Sequence, residues 1–263
     1  MSDVPPEVQA LLKHQSYPLA SKYDASWILA NNMGPHPLQL CEALCSQMQL
    51  EPGMRVLDLG CGKALTSIFL AKEFGVSVTA ADLWISPSEN WQRIKEAGVE
   101  ELVTPLSVEA HRMPFADGFF DAVVAVDSFN YFGTDATYLD WHLLPKLRPG
   151  GQIGVIVPGL SRELGGEIPE HLLESFEGCP PFWEPRECAA FRSAAWWLDH
   201  WSRCEGIDVE RCEALPDGAA LWQRWQHALS LAEPDGGHRG DLIALRKDAG
   251  ATIGFVCAVG RKR

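Results

Sequence analysis

No apolar run in this chain approaches the roughly 20 residues that a bilayer-spanning helix needs, so membrane insertion is not expected. None of the eight cysteines forms a C-x-x-C pair, which leaves no zinc-ribbon or thioredoxin-type spacing. Cys41 and Cys45 lie one helical turn apart, but their neighbours Leu40, Leu44 and Met48 read as a buried helix face rather than a metal site. Basic residues are also scarce. Lys and Arg number 22 against 35 Asp and Glu, for a net charge of −13, and the only basic clusters are Arg246-Lys247 and the terminal Arg261-Lys262-Arg263. Nucleic-acid binders carry a basic patch or stripe, so DNA and RNA partners are not expected. The acidity fits a neutral or cationic small molecule and is otherwise a matter of solubility. No internal repeat, low-complexity tract or signal-peptide pattern appears, and reduced thiols in a cytoplasm are the expectation. A length of 263 residues at 46% hydrophobic fits one large α/β domain with room for an appended lid.

The most informative stretch is Arg55 to Phe74. Val56-Leu57-Asp58-Leu59 is strand-like in composition and length. Gly60 and Gly62 follow, and then Ala64, Leu65, Ile68, Phe69, Leu70, Ala71 and Phe74 recur at helical spacing. Strand, glycine turn and helix form the first βα unit of a nucleotide-binding sheet. The glycines let the backbone pass close to a ligand, and the helix N-terminus offers free N–H groups and a positive dipole end. The third position of the dinucleotide pattern G-x-G-x-x-G is Leu65, so the dinucleotide fingerprint is incomplete. A second apolar segment, Val76 to Asp82, ends in a carboxylate.

Asp58-x-Gly60-x-Gly62, with Asp82 closing the second strand, resembles the glycine loop of class I S-adenosylmethionine (SAM)-dependent methyltransferases. The resemblance covers residues 51–160 and, more loosely, the last two strands. It implies that Asp82 takes the ribose hydroxyls, a role that suits a carboxylate because it accepts two hydrogen bonds and repels phosphate. Leu83 and Trp84 would cover the adenine. In VEAHRMPF, Glu109 would accept from the adenine amino group and Ala110 would offer its backbone N–H, although the family residue is more often Asp. Phe120–Val126 reads as a buried fourth strand. Asp127 to Phe132 then occupies the carboxyl end of that strand, where ligands sit in doubly wound sheets. Asp127 is expected at the cofactor, Asn130 and Tyr131 at the acceptor. Arg148-Pro149-Gly150-Gly151 turns into a fifth strand.

Residues 1–50 read as an N-terminal helical cap, with Gly34-Pro35-His36-Pro37 dividing helices at Asp24 to Asn31 and Leu38 to Leu50. Tyr17 and Tyr23 are placed near the SAM sulfonium, which an aromatic face attracts, or serve as packing anchors of the cap. Ser88 is read as the cap of a helix Glu89–Ala97 ending at Gly98, and Tyr138 to Leu147 as a further helix. Residues 159–205 form the lid and substrate region of a 51–263 cofactor-binding domain. The helix starting at Ser193 carries Trp196, Trp197 and His200, either as packing or as pocket wall. Ile207–Leu215 is the sixth strand, Asp217 caps the next helix, Glu233–Gly240 is a polar loop, and Ala251–Gly260 is a final antiparallel strand. The expected fold is thus an α/β Rossmann-like doubly wound sheet of seven strands, the last antiparallel.

The resemblance implies in-line transfer of the SAM methyl to an O, N, C or S nucleophile of a small-molecule acceptor, releasing S-adenosylhomocysteine, with no metal. A homodimer is compatible with it. Asp127 and His200 lead as general-base candidates, ahead of His111 and His142. The branch of closest resemblance includes ubiquinone/menaquinone-type, sarcosine/glycine-type and natural-product methyltransferases. No N-P-P-Y motif follows the fourth strand, which argues against DNA adenine, glutamine or rRNA targets. An NAD(P)-dependent oxidoreductase and a SAM-binding protein without catalysis are the rival readings.

Overall fold

A computed structural model describes residues 4–263. Its strands are β1 (Arg55–Leu59), β2 (Ser77–Asp82), β3 (Val103–Ser107), β4 (Phe120–Val126), β5 (Leu147–Leu160), β6 (Arg192–Ser193), β7 (Ile207–Ala214) and β8 (Ile253–Lys262). They form one sheet in the order β3-β2-β1-β4-β5-β8-β7, with the two-residue β6 pairing off β5. β3, β2, β1, β4 and β5 run parallel, and β8 is antiparallel to both its neighbours. This is the expected seven-stranded sheet with an antiparallel final strand, plus a short eighth strand. The Rossmann dinucleotide sheet has the order 3-2-1-4-5-6, so the insertion of β8 between β5 and β7 sets this fold apart from it. Central strands are apolar on both faces, as parallel sheets covered by helices require: every residue of β4 except Asp121 is buried.

The helices are α1 (Pro6–Leu12), α2 (Ala25–Asn31), α3 (Pro37–Cys45), α4 (Leu65–Phe74), α5 (Pro87–Ala97), α6 (Glu170–Leu173), α7 (Pro185–Cys188), α8 (Ala194–Ser202), α9 (Gly218–Ala232) and α10 (His238–Asp248). Two cores flank the sheet. One gathers Val8, Leu38, Ile68, Phe69 and Trp225, so that α1, α3, α4 and α9 share a single interior. The other gathers Phe129, Tyr138, Trp197 and Trp201, with α8 across it. The N-terminal segments are tied to one another and to this body by polar contacts. The Glu42 carboxylate accepts from the backbone N–H of Leu19 (3.1 Å) and Ala20 (2.7 Å). The Arg224 guanidinium donates to the carbonyls of Ala10, Leu11 and Lys13 at 2.8–3.2 Å, satisfying the open end of α1.

Several local expectations change. Ser86, not Ser88, caps α5, in a capping box with Glu89; Pro87 then takes the first helical position, which suits its fixed φ. The segment after Tyr138 is a π-helical turn at Leu139–Leu143 followed by a 3-10 turn at Leu144–Lys146, because Pro145 has no N–H to continue a ladder. Helix α3 stops at Cys45 rather than Leu50. Asp217 stands at the N-cap position of α9 without capping it; its carboxylate is engaged by Tyr17. The polar loop at 233–240 is cut short by α10, which its mixed composition concealed.

Candidate functional site

The glycine loop leaves β1 at Leu59 and enters α4 at Leu65. Gly60 (φ +78°) and Gly62 (φ +53°) both hold left-handed backbone, which only glycine adopts freely. A Cβ at Gly60 would also overlap Ser128, whose hydroxyl donates to the Leu59 carbonyl at 2.7 Å. The loop and the end of β4 are therefore in contact, and together they floor a cavity of about 320 Å³ at the carboxyl edge of the sheet. Asp58 does not reach this cavity. It is fully buried and its Oδ2 accepts from Thr66 Oγ1 (2.6 Å) and Ser67 Oγ (2.5 Å). Burial pushes its carboxyl up to about 6. Its part is to fix the first turn of α4 from behind, a correction to the expected cofactor contact.

Asp82 ends β2 beside the loop. Its Oδ2 accepts from Gly62 N–H at 2.8 Å, and its Oδ1 from Trp84 N–H (2.8 Å) and Ile85 N–H (2.9 Å). A carboxylate offers about four lone-pair sites, so capacity remains for a ligand hydroxyl. Leu83 and Trp84 follow on the cavity wall and are 57% and 68% exposed, an apolar surface open to a ligand. Trp84 meets Tyr131 edge-on across the mouth, with ring centroids 5.7 Å apart. Glu109 and Ala110 line the adjacent wall. The backbone N–H of His111 donates to Glu109 Oε1 at 3.0 Å and its ring Nδ1 lies 2.9 Å from the same oxygen; these bonds hold the Glu109 carboxyl below its usual range.

Asp127 follows β4 with left-handed backbone (φ +53°), an uncommon conformation for a non-glycine residue. Its N–H donates to the Ile156 carbonyl at 2.8 Å. The side chain borders the cavity, and no hydrogen bond reaches its carboxylate among the described residues. Burial pushes this carboxyl up to about 7, and the charge of Glu187 adds to the effect.

Of the residues singled out from the sequence, Gly60, Gly62, Asp82, Leu83, Trp84, Glu109, Ala110, His111, Asp127 and Tyr131 meet at this cavity. The others do not. Tyr17 is buried, and its hydroxyl donates to Asp217 at 3.0 Å. The Tyr23 hydroxyl donates to Glu73 at 3.2 Å, and its ring packs on Trp27 and Phe69. Both act as anchors of the cap. Asn130 is 2% exposed and faces inward. Trp197 is packed on Phe129 within the second core. Trp196 stacks on His200 at 4.5 Å, and the His200 Nε2 pairs with the Gly133 carbonyl at 3.0 Å. That pair braces the 129–133 turn from its far side, so His200 is not placed to act as a base on a ligand in the cavity.

Part of the wall escaped the sequence reading. Asn31, Met33, Gly34, Pro35 and Pro37 bring the α2–α3 connection onto the cavity. Met33 Sδ would lie 3.0 Å from a Cβ at Gly62, and a Cβ at Gly34 would overlap Asp127 Oδ2. Lys63 Nζ donates to the Ala30 carbonyl at 3.3 Å and Arg93 Nε to Asn31 Oδ1 at 2.9 Å, pinning the connection down. The available signal was Gly34-Pro35-His36-Pro37, which reads as a helix break and also makes a rigid, side-chain-poor loop. Among the described residues no group of acidic, His or Cys side chains has the geometry of a metal site.

Residues 56–151 match the family model described as a methyltransferase domain. Methyltransferase GfsG of Streptomyces halstedii is 28% identical over 118 residues, covering 44% of this chain and 42% of that protein. Sterol 24-C-methyltransferase of Yarrowia lipolytica is 27% identical over 199 residues, covering 72% of this chain and 50% of that protein. The chain thus matches half or less of the length of these relatives. Among solved structures, geranyl diphosphate C-methyltransferase from Streptomyces coelicolor A3(2) superposes with a TM-score of 0.67 at 16% identity, covering 99% of this chain and 89% of that one; the likeness is one of fold. The glycine loop, the carboxylate at the end of β2 and the strand order all fall within or around the matched segment. Over residues 56–151, this chain is therefore similar to a methyltransferase domain, and the fold around that segment is one that solved methyltransferases share.

Proposed function

We propose that this protein transfers the methyl group of SAM to a small-molecule nucleophile, with cofactor and acceptor sharing the cavity beneath the α2–α3 connection. The observation that carries this reading is the arrangement at the strand ends. A loop stripped of side chains at Gly60 and Gly62, a carboxylate at Asp82 with capacity left for hydroxyls, and uncovered Leu83 and Trp84 faces match the parts of a nucleoside in sequence. When bound, SAM supplies an activated methyl on a sulfonium. The protein's contribution is alignment and exclusion of water. Asp82 would orient the ribose, Glu109 and the Ala110 N–H the adenine edge, and Met33 closes the cavity over Gly62. Asp127, at the end of β4, would hold or remove a proton on the acceptor.

The names of similar proteins, which include a sterol, a rifamycin and a geranyl diphosphate methyltransferase, support a small molecule over a macromolecule. The eight cysteines stand as free thiols, which supports a reducing, cytoplasmic setting. Calorimetric titration of SAM, S-adenosylhomocysteine, NAD and NADP tests the reading. The expected result is binding of the first two alone, weakened at least tenfold by Asp82→Ala. Preference for a nicotinamide cofactor would overturn it.

A further inference from the structure

Three carboxyl side chains and one lysine border the cavity, and three of the four are already committed. Asp82 receives three backbone N–H bonds. Glu109 is held by His111. Lys63 reaches out to the Ala30 carbonyl at the rim. Asp127 alone presents a carboxylate to the cavity without a donor among the described residues. A desolvated carboxylate without a donor is costly, and its cost is relieved by a cation or by a proton. Its surroundings sharpen the choice. Glu187 adds negative charge at both Asp127 and Tyr131, so an anionic acceptor would meet repulsion from two sides. Tyr131 and Phe132 border the same region, and Tyr131 is 52% exposed. A carboxylate beside open aromatic faces is the chemistry that recognises an ammonium group.

We propose that the acceptor is an amine, entering as an ammonium group on an aromatic or apolar body, with its nitrogen at Asp127 and its body against Tyr131 and Phe132. This deepens the methyl-transfer reading and rests on it. The ammonium first gives one proton to the Asp127 carboxylate, which frees the nitrogen lone pair. The lone pair then forms the new N–C bond as the C–S bond breaks, and the electron pair of that bond stays on sulfur. The product leaves as the methylated ammonium with the neutral thioether, and Asp127 returns its proton to solvent. The sum is one ammonium and one sulfonium converted to one methylated ammonium, one thioether and one released proton.

The test uses the full chain saturated with S-adenosylhomocysteine and three near-isosteres: phenethylamine, phenethyl alcohol and 3-phenylpropionate. Calorimetry should detect the amine and find the alcohol and acid at least tenfold weaker. Asp127→Asn should weaken the amine at least tenfold and leave S-adenosylhomocysteine within twofold. Equal or better binding of the alcohol or the acid, failure of the amine to bind the saturated protein, or an amine affinity indifferent to Asp127→Asn would each overturn the proposal. So would a loss of S-adenosylhomocysteine affinity in that variant, since Asp127 would then serve the cofactor. Failure of the wild type to bind S-adenosylhomocysteine at all would instead overturn the cofactor reading. If Asp127→Asn does not fold, the three-ligand comparison on the wild type decides alone.

Discussion

At the scale of single residues, two buried carboxyls with raised affinity for protons behave differently because one faces the cavity and the other the core. Asp58 is held up to about 6 by burial, against about 3.9 in an unfolded chain. The folded state therefore binds the extra proton between these values, and stability falls as pH rises from about 4 through 6 before levelling off. The effect is of order 3 kcal/mol. Thermal unfolding of wild type and Asp58→Asn at pH 4.5 and 7.5 checks this: the loss on going to the higher pH should be smaller in the variant. Asp127, raised to about 7 with Glu187 and Tyr131 facing it, must be ionised to take a proton. Methyl transfer should accordingly rise through about pH 7. Tyr131 is itself held up to about 12 and stays neutral across that range. A profile of kcat/KM against pH measures the limb, and Asp127→Asn should remove it.

At the scale of elements, the α2–α3 connection is the piece that completes the cavity, and its tightest point is Gly34 against Asp127. Gly34→Ala should displace the carboxylate and lower turnover at least tenfold, while a melting temperature within a few degrees of wild type would show that the fold survives. Gly60→Ala is the harsher change, because the added methyl meets Ser128 while the backbone is left-handed. A loss of roughly 1–3 kcal/mol of stability together with weakened SAM binding is expected, read by denaturant unfolding and calorimetry. These contrasts also show what the sequence made legible. The β1–loop–α4 unit, Asp82 and the Glu109 segment were readable because strand, turn and helix signals lie within a few residues of one another. Tyr17 and Tyr23 were not, because their partners Asp217 and Glu73 lie 200 and 50 residues away and spacing carries no information across that distance. Trp196, Trp197 and His200 sit on a helix apolar enough to bury either face, so periodicity could not say which side meets the turn at Gly133. Helix α10 was hidden because its core contacts, Leu242, Ala244 and Leu245, sit in one four-residue apolar run flanked by charged residues, too short to show a helical period.

At the scale of the whole molecule, the sheet supplies the frame, and the N-terminal helices are fastened to its far end. Arg224→Ala removes three hydrogen bonds from the open end of α1, two of them exposed; at about 0.5–1 kcal/mol net each, the expected cost is roughly 1–3 kcal/mol. Limited proteolysis should then cut first within residues 4–22, ahead of the sheet. The same fastening has a consequence for synthesis. The first helices leave the ribosome early, yet Asp217, Arg224 and Trp225, three of their partners, follow some 200 residues later. At about 5–20 residues per second that delay is roughly 10–40 seconds. Throughout it α1 lacks its Arg224 anchor, while α2 and α3 can already pack on α4 through Tyr23, Phe69 and the Lys63–Ala30 bond. The first helix is therefore the last part of the N-terminal region to be fastened, and a polypeptide stalled before α9 would carry α1 without its Arg224 anchor.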